Sequence, residues 1–234
     1  MSYLLETGIV LNGQRLPGTD WILRDSRAWF VDEADAPMRR TWPIRQLVFH
    51  WTAGTAKVGP EVARDVVRNM NARRREDGSL MSVSVTFVTS WDGMCFQVAD
   101  LCRQTNHAGR VINRASVSNE NAFPGSEAQM RRLGIQGGAV QRRTVGGHKI
   151  DCMVPSAAML AANVRLAETL ASLDPATGVA IPRIVPAGTD RMRPPEALRY
   201  AGALEHCHAP GSTKLDHAGY VVDALAANGW QRAA

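Results

Sequence analysis

Two imidazoles, a thiol, an ammonium and two carboxylates crowd into one short stretch, Glu205-His206-Cys207-His208-Ala209-Pro210-Gly211-Ser212-Thr213-Lys214-Leu215-Asp216. Imidazole nitrogen, thiolate sulfur and carboxylate oxygen are the donors that zinc takes. A protonated lysine cannot coordinate, but beside a metal it can hold the negative charge that develops on an attacked carbonyl. His206 and Asp216 lie ten positions apart, with Lys214 two before the aspartate. Cys207 and His208 are rival donors. Neighbours on an extended strand point to opposite faces, so His206 and Cys207 are poorly placed to share one ion. Asp216 also precedes a helical pattern, where it would serve equally well as an N-cap.

A third imidazole stands far away in sequence. His50 ends the apolar run Leu47-Val48-Phe49-His50-Trp51, and Thr52-Ala53-Gly54 turns the chain after it. Such a run reads as a buried central strand, and sheet proteins place sites at strand ends. Taken alone, His50 reads as a core histidine bonded to backbone. Two histidines and one carboxylate would leave the fourth zinc position open, as a catalytic site requires. Glu120 ends another strand-like stretch, Ser116-Val117-Ser118-Asn119-Glu120-Asn121. Partly buried, it would be a general base; exposed, it is an ordinary strand-end glutamate.

The elements that must position these groups follow from pattern. Asn12-Gly13 predicts a hairpin between Ile9 and Leu16. Pro60 opens a helix with Val62, Val66, Val67 and Met70 at helical spacing, stopping by Gly78. Val83, Val85 and Phe87 alternate with Ser84 and Thr86 as a half-buried strand, which Asp92-Gly93 turns into Met94–Val98. Residues 125–147 read as a loop or irregular hairpin. Ser156 caps a second long helix that ends at Asp174-Pro175. Residues 178–195 read as a connecting loop, Ala201–Cys207 as a short strand, and Ala218, Val221, Val222 and Leu225 as a last helix closed by Gly229. Strands interleaved with helices predict a single α/β domain, a central mixed β-sheet flanked by helices. Residues 1–43 read as an N-terminal extension packed on a main domain of 44–234.

Bulk composition narrows the function. Of 234 residues, 45% are apolar and 21% charged, which is ordinary globular composition. No apolar run approaches the roughly 20 residues of a membrane span, and no secretory signal is visible at the N-terminus. Four cysteines in such a chain do not make a disulfide framework, although Cys95 and Cys102 could meet across a hairpin. The net charge of +5 suits a polyanionic partner. With 6% aromatics and no nucleic-acid motif, nucleic acid is not expected.

The spaced motifs resemble the zinc-dependent N-acetylmuramoyl-L-alanine amidases, a family that includes the peptidoglycan recognition proteins. Val48-Phe49-His50-Trp51-Thr52-Ala53-Gly54 is similar to the family's strand with its first zinc histidine, and Asn106-His107-Ala108-Gly109 to its His-Ala-Gly loop. Asn113–Glu120 resembles the strand bearing the catalytic glutamate, and His206, Lys214 and Asp216 have the spacing of the recycling amidases. The family commonly has Gly where Glu205 stands, and a Pro-Gly after the aspartate where this chain has His217-Ala218-Gly219. The resemblance implies Zn2+ held by His50, His206 and Asp216, with His208 as the alternative to His206. It implies catalysis by Glu120 and Lys214, and substrate contacts from His107, Trp51, Thr52 and Asn121. The implied partner is bacterial peptidoglycan or soluble muropeptides.

Three functions follow as expectations. The first is hydrolysis of the amide between N-acetylmuramic acid and L-alanine. The second is a peptidoglycan-binding module of the same fold without catalysis. The third is a structural zinc protein, which would use all four positions and leave none for water. The expected localisation is cytoplasmic, with an endolysin reaching the wall through a membrane pore.

Overall fold

The computed structural model describes residues 5–25, 28–29, 40–52, 58–73, 77–78, 83–135, 138–210 and 218–233. The strands are β1 (Glu6–Thr7), β2 (Val10–Leu11), β3 (Gln14–Arg15), β4 (Leu23–Arg24), β5 (Gln46–Trp51), β6 (Phe87–Ser90), β7 (Cys95–Gln97), β8 (Ser116–Ala122), β9 (Val140–Val145), β10 (His148–Met153), β11 (Ile184–Val185), β12 (Gly202–Glu205) and β13 (Gln231–Arg232). The helices are α1 (Glu61–Asn71), α2 (Arg110–Asn113), α3 (Glu127–Arg132), α4 (Ala157–Ala171), α5 (Pro194–Arg199) and α6 (Tyr220–Ala227).

Seven strands form the central sheet in the order β1-β4-β7-β6-β8-β5-β12. β6, β8, β5 and β12 run parallel, while β7 runs antiparallel to β6. The sheet is therefore mixed, with its parallel half buried between helices as parallel strands require. β5 has no exposed residue, which explains why its sequence is continuous rather than alternating.

The two faces of β5 do different work. Leu47 and Phe49 join Phe87, Val117 and Ala203 in a core closed by Leu166 and Leu170 of α4 and Val221, Val222 and Leu225 of α6. On the opposite face Val48 and Leu204 pack on Ile112 of α2 and Ala197 of α5. Beside them α1 lays Val62, Val66 and Met70 against Val88 and Phe96. α4 starts where expected: the Ser156 hydroxyl accepts from the Met159 amide at 3.0 Å.

The N-terminal stretch enters the sheet. β1 and β4 form its edge, and Ile9 and Ile22 are fully buried in the main core. The Gln97 side chain ties this stretch down, accepting from Val10 N and donating to Val10 O. Residues 127–153 hold a helix and a regular two-stranded hairpin, α3 and β9–β10. Their long exposed polar strands carry no apolar alternation, so the pattern was invisible to a search for buried faces. The strand expected from Val83 starts four residues later, at Phe87. All four cysteines are free, Cys95 and Cys102 included.

One polar cluster lies inside the α4 face. Asn119 donates to Asn163 Oδ1 at 2.7 Å and to Asn121 Oδ1 at 3.3 Å, Asn163 donates to Asn121 Oδ1 at 2.9 Å, and Thr89 donates to Asn119 at 3.0 Å. All four residues are fully buried. A satisfied buried network specifies one alignment of β8 on α4, whereas a broken one leaves costly orphans. Asn163→Ala removes a donor and an acceptor at once. It should lower the unfolding free energy by about 1–3 kcal/mol in urea denaturation; a change inside experimental error would show that the network adds no stability.

Candidate active site

Strand register brings the chemical groups together. His50 pairs with Glu120 across β5 and β8, and Phe49 pairs with Glu205 across β5 and β12. Side chains alternate along a strand, so His50 and Glu120 share the α2–α5 face. Glu205 goes with Phe49 to the α6 face, and His206, one residue on, returns to the side of His50. The result is a distance of 2.9 Å between His50 Nδ1 and His206 Nδ1, with the ring centroids 4.4 Å apart. His50, Glu120 and His206 are all buried, at 3%, 6% and 8% exposure.

His107 is the third imidazole. Its Nδ1 lies 3.0 Å from His50 Nε2, and its Nε2 lies 3.0 Å from Ser116 Oγ. Desolvation, the Arg40 guanidinium and His206 hold His107 well below the usual histidine range. The loop that carries it is shaped by Asn113, whose side-chain oxygen accepts from the His107 and Ala108 amides at 3.2 and 2.8 Å. Arg40 donates to Leu101 O at 2.9 Å, and burial lowers its guanidinium to about 10.

His208 and Cys207 are engaged elsewhere. His208 meets Gly188 O at 2.8 Å through Nε2, while its Nδ1 faces the backbone of Glu205 at 3.0 Å. Cys207 sits in an apolar cluster with Val145, Cys152, Ala218 and Tyr220. Of the two rival histidines, His206 is the one beside His50. Among the described residues no group of three His, Cys, Asp or Glu side chains is arranged around one metal position. Lys214 and Asp216, the remaining expected site residues, lie outside the described residues, as do Ala53 and Gly54.

The expected substrate contacts divide. Thr52 follows β5, its amide donating to Asn121 O at 3.1 Å. Trp51 and Asn121 fall one step out of phase with His50 and Glu120, so alternation turns them to the opposite face. The Asn121 amide is held in the α4 network, and Trp51 stacks on Phe123 at 4.8 Å while donating to its carbonyl. His107 has its two ring nitrogens beside His50 and Ser116.

Glu205 explains a local departure in the chain. Its buried carboxylate accepts from the amides of Gly219 at 2.6 Å, Val221 at 2.8 Å and Val222 at 3.3 Å. These are amides at the start of α6, which begins at Tyr220 after Gly219 in a left-handed conformation, φ 87°. Asp216, considered as the N-cap, lies outside the described residues; the N-cap position is Gly219, and a glutamate from β12 satisfies the first amides of the helix. Burial pushes the Glu205 carboxyl up to about 7, against the three amides that pull it down. Sequence reasoning missed Glu205, Ser116 and Asn113. The signal for Ser116 was present in Ser116-Val117-Ser118, whose alternation aligns small hydroxyls with Glu120.

Comparison with known proteins places the chain in a family. Residues 40–185 match the family model described as N-acetylmuramoyl-L-alanine amidase, more than half of the chain. The chain belongs to that family. Its fold is similar to human PGRP-IβC, solved in complex with glycosamyl muramyl pentapeptide: TM-score 0.50, 16% identity, covering 88% of this chain and 94% of that one. Other matches are Drosophila PGRP-LB, at 13% identity, TM-score 0.47, and 82% and 85% of the two chains, and the amidase LysC from Clostridium intestinale, at 9% identity, TM-score 0.41, and 80% and 85%. No curated protein matches the sequence. Among the described residues no helix is long and apolar enough to cross a membrane.

The Glu205 clamp is testable by stability. Glu205→Ala strands three amide donors at a buried helix start and should cost about 2–4 kcal/mol in denaturant unfolding. Glu205→Gln keeps the volume but turns an amide N–H toward one of those donors, and should recover only part of the loss. Equal stability of all three proteins would show that the carboxylate does not hold the helix.

Proposed function

We propose that the chain is a zinc-dependent amide hydrolase of bacterial cell-wall material, cutting the bond between the lactyl group of N-acetylmuramic acid and L-alanine of the stem peptide. The observation that carries this reading is the convergence of His50 Nδ1 and His206 Nδ1, 2.9 Å apart, on the sheet face that also bears Glu120. The donor set fits zinc. Two Zn–N bonds of 2.0–2.1 Å at a tetrahedral angle separate their nitrogens by about 3.3 Å, a shift of a few tenths of an ångström from the distance here. His50 and His206 would hold the ion, with Asp216 as the third ligand inferred from its spacing.

When bound, zinc supplies a Lewis acid that polarises the scissile carbonyl and acidifies water. Glu120, at the level of His50, takes the proton from the attacking water and returns it to the leaving amine. Lys214 stabilises the carbonyl oxygen as negative charge gathers on it. His50, Glu120 and His206 are buried, and a low-dielectric surrounding strengthens each of these interactions. The net charge of +5 supports attraction to an anionic wall polymer. Peptidoglycan and soluble muropeptides both present the required bond, so an endolysin released through a membrane pore and a cytoplasmic recycling enzyme would use the same chemistry.

Zinc content and amide cleavage on purified peptidoglycan and muropeptides separate this reading from a binding module. His206→Ala should lose both metal and activity. Glu120→Gln and Lys214→Ala should keep zinc and lose about 10²–10³-fold in rate. Chelator should abolish cleavage and added zinc restore it. Wild type that holds zinc yet cleaves neither substrate would overturn the hydrolase.

A further inference from the structure

The three imidazoles and Ser116 form one chain of contacts whose direction is set at its far end. Ser116 Oγ lies 2.8 Å from Ile112 O. A carbonyl can only accept, so the hydroxyl proton goes there, and Ser116 Oγ meets His107 with a lone pair. His107 Nε2, 3.0 Å from that oxygen, must then carry the ring proton. With its single proton on Nε2, the His107 imidazole presents a lone pair at Nδ1 to His50 Nε2, 3.0 Å away. His50 in turn keeps its proton on Nε2, and its Nδ1 lone pair is left facing His206.

We propose that His107 and Ser116 are positioning residues that lock His50 as its Nε2–H tautomer and so present Nδ1 for metal binding. Metal-binding histidines generally donate their second N–H to a carboxylate, a backbone carbonyl or water. Here another imidazole takes that place, and a backbone carbonyl terminates the relay two residues further on. The backbone supports it at both ends. Asn113 holds the His107 and Ala108 amides, and Ser116 is the first residue of β8, paired with Gln46 of β5. The relay thus runs along the same sheet face as the ligand it orients. The opposite tautomer would place a proton on His50 Nδ1, where a metal would have to displace it.

The use of the relay for zinc rests on the proposed function; the tautomer itself does not. The test therefore has two arms. Nitrogen-15 NMR of the histidine side chains in metal-free protein, with His50 assigned through His50→Ala, should show His50 protonated at Nε2 in wild type. His107→Phe and Ser116→Ala should give mixed tautomers. In the second arm, zinc affinity is measured by competition with a chromophoric chelator. His107→Phe should weaken it 10–100-fold and Ser116→Ala less. His107→Gln, whose side-chain oxygen can accept from His50, should return to within a few-fold of wild type. Thermal melts identify any variant that has merely lost its fold, in which case wild-type NMR and the remaining variants decide. A proton on His50 Nδ1 in wild type, or zinc affinities for folded His107→Phe and Ser116→Ala equal to wild type, would overturn the relay. A wild type with the expected tautomer and tight zinc but no amide cleavage would instead overturn the hydrolase and leave the relay standing.

Discussion

The register of β5 between two parallel neighbours is the constraint on which the site depends. Pairing Gln46 with Ser116 and Gly202 fixes everything up to the strand ends, where His50 meets Glu120 and His206 follows Glu205. A slip of one residue would reverse every side chain. His50 and Glu120 would part, Phe49 would leave the core, and Glu205 would lose the helix it caps. The register is protected by large stakes on both faces. Leu47, Phe49 and Ala203 are wholly buried on one side, Val48 and Leu204 on the other. At about 25 cal/mol per Å2 of apolar surface, exposing even one such side chain costs about 1.5–3 kcal/mol.

Polar groups buried beside this core are arranged so that each satisfies another. The Asn119–Asn121–Asn163 cluster sits directly behind Glu120, because the residues flanking a glutamate on a strand point the other way. Locking them to α4 fixes the strand that carries the carboxylate from the face opposite to His50. The same logic governs the front face. Ser116 and Ser118 are small, fully buried and in line with Glu120, leaving room for the His107 loop to lie against the sheet. Larger residues there would push His107 away from His50.

The sequence revealed those parts whose signal is local. The apolar run ending in His50 and the Ser156 cap of α4 both follow from short-range rules, and both stand where those rules put them. What it hid was long-range or rested on exposed strands. β9 and β10 have few buried residues, so hydrophobic periodicity had nothing to report. Trp51 and Asn121 drew notice because they adjoin His50 and Glu120, yet adjacency on a strand means opposite faces. His107 was visible as a histidine in a loop. That its two nitrogens are spent on His50 and Ser116 depends on a fold that brings residues 50, 107 and 116 into one line.

The family match ends at residue 185, before β12 and the whole histidine cluster of 206–208. The second imidazole is thus delivered by topology rather than by the best-matched stretch. β12 returns to pair with β5, and a single step beyond its last paired residue carries His206 to His50. Glu205 makes that step possible in this particular chain. A glycine at the same position would offer flexibility but no anchor. A glutamate, turned inward by alternation, reaches the first amides of α6 and ties the end of β12 to the start of the last helix. The departure from the family pattern at 205 and the absence of a side-chain cap on α6 are two aspects of one interaction.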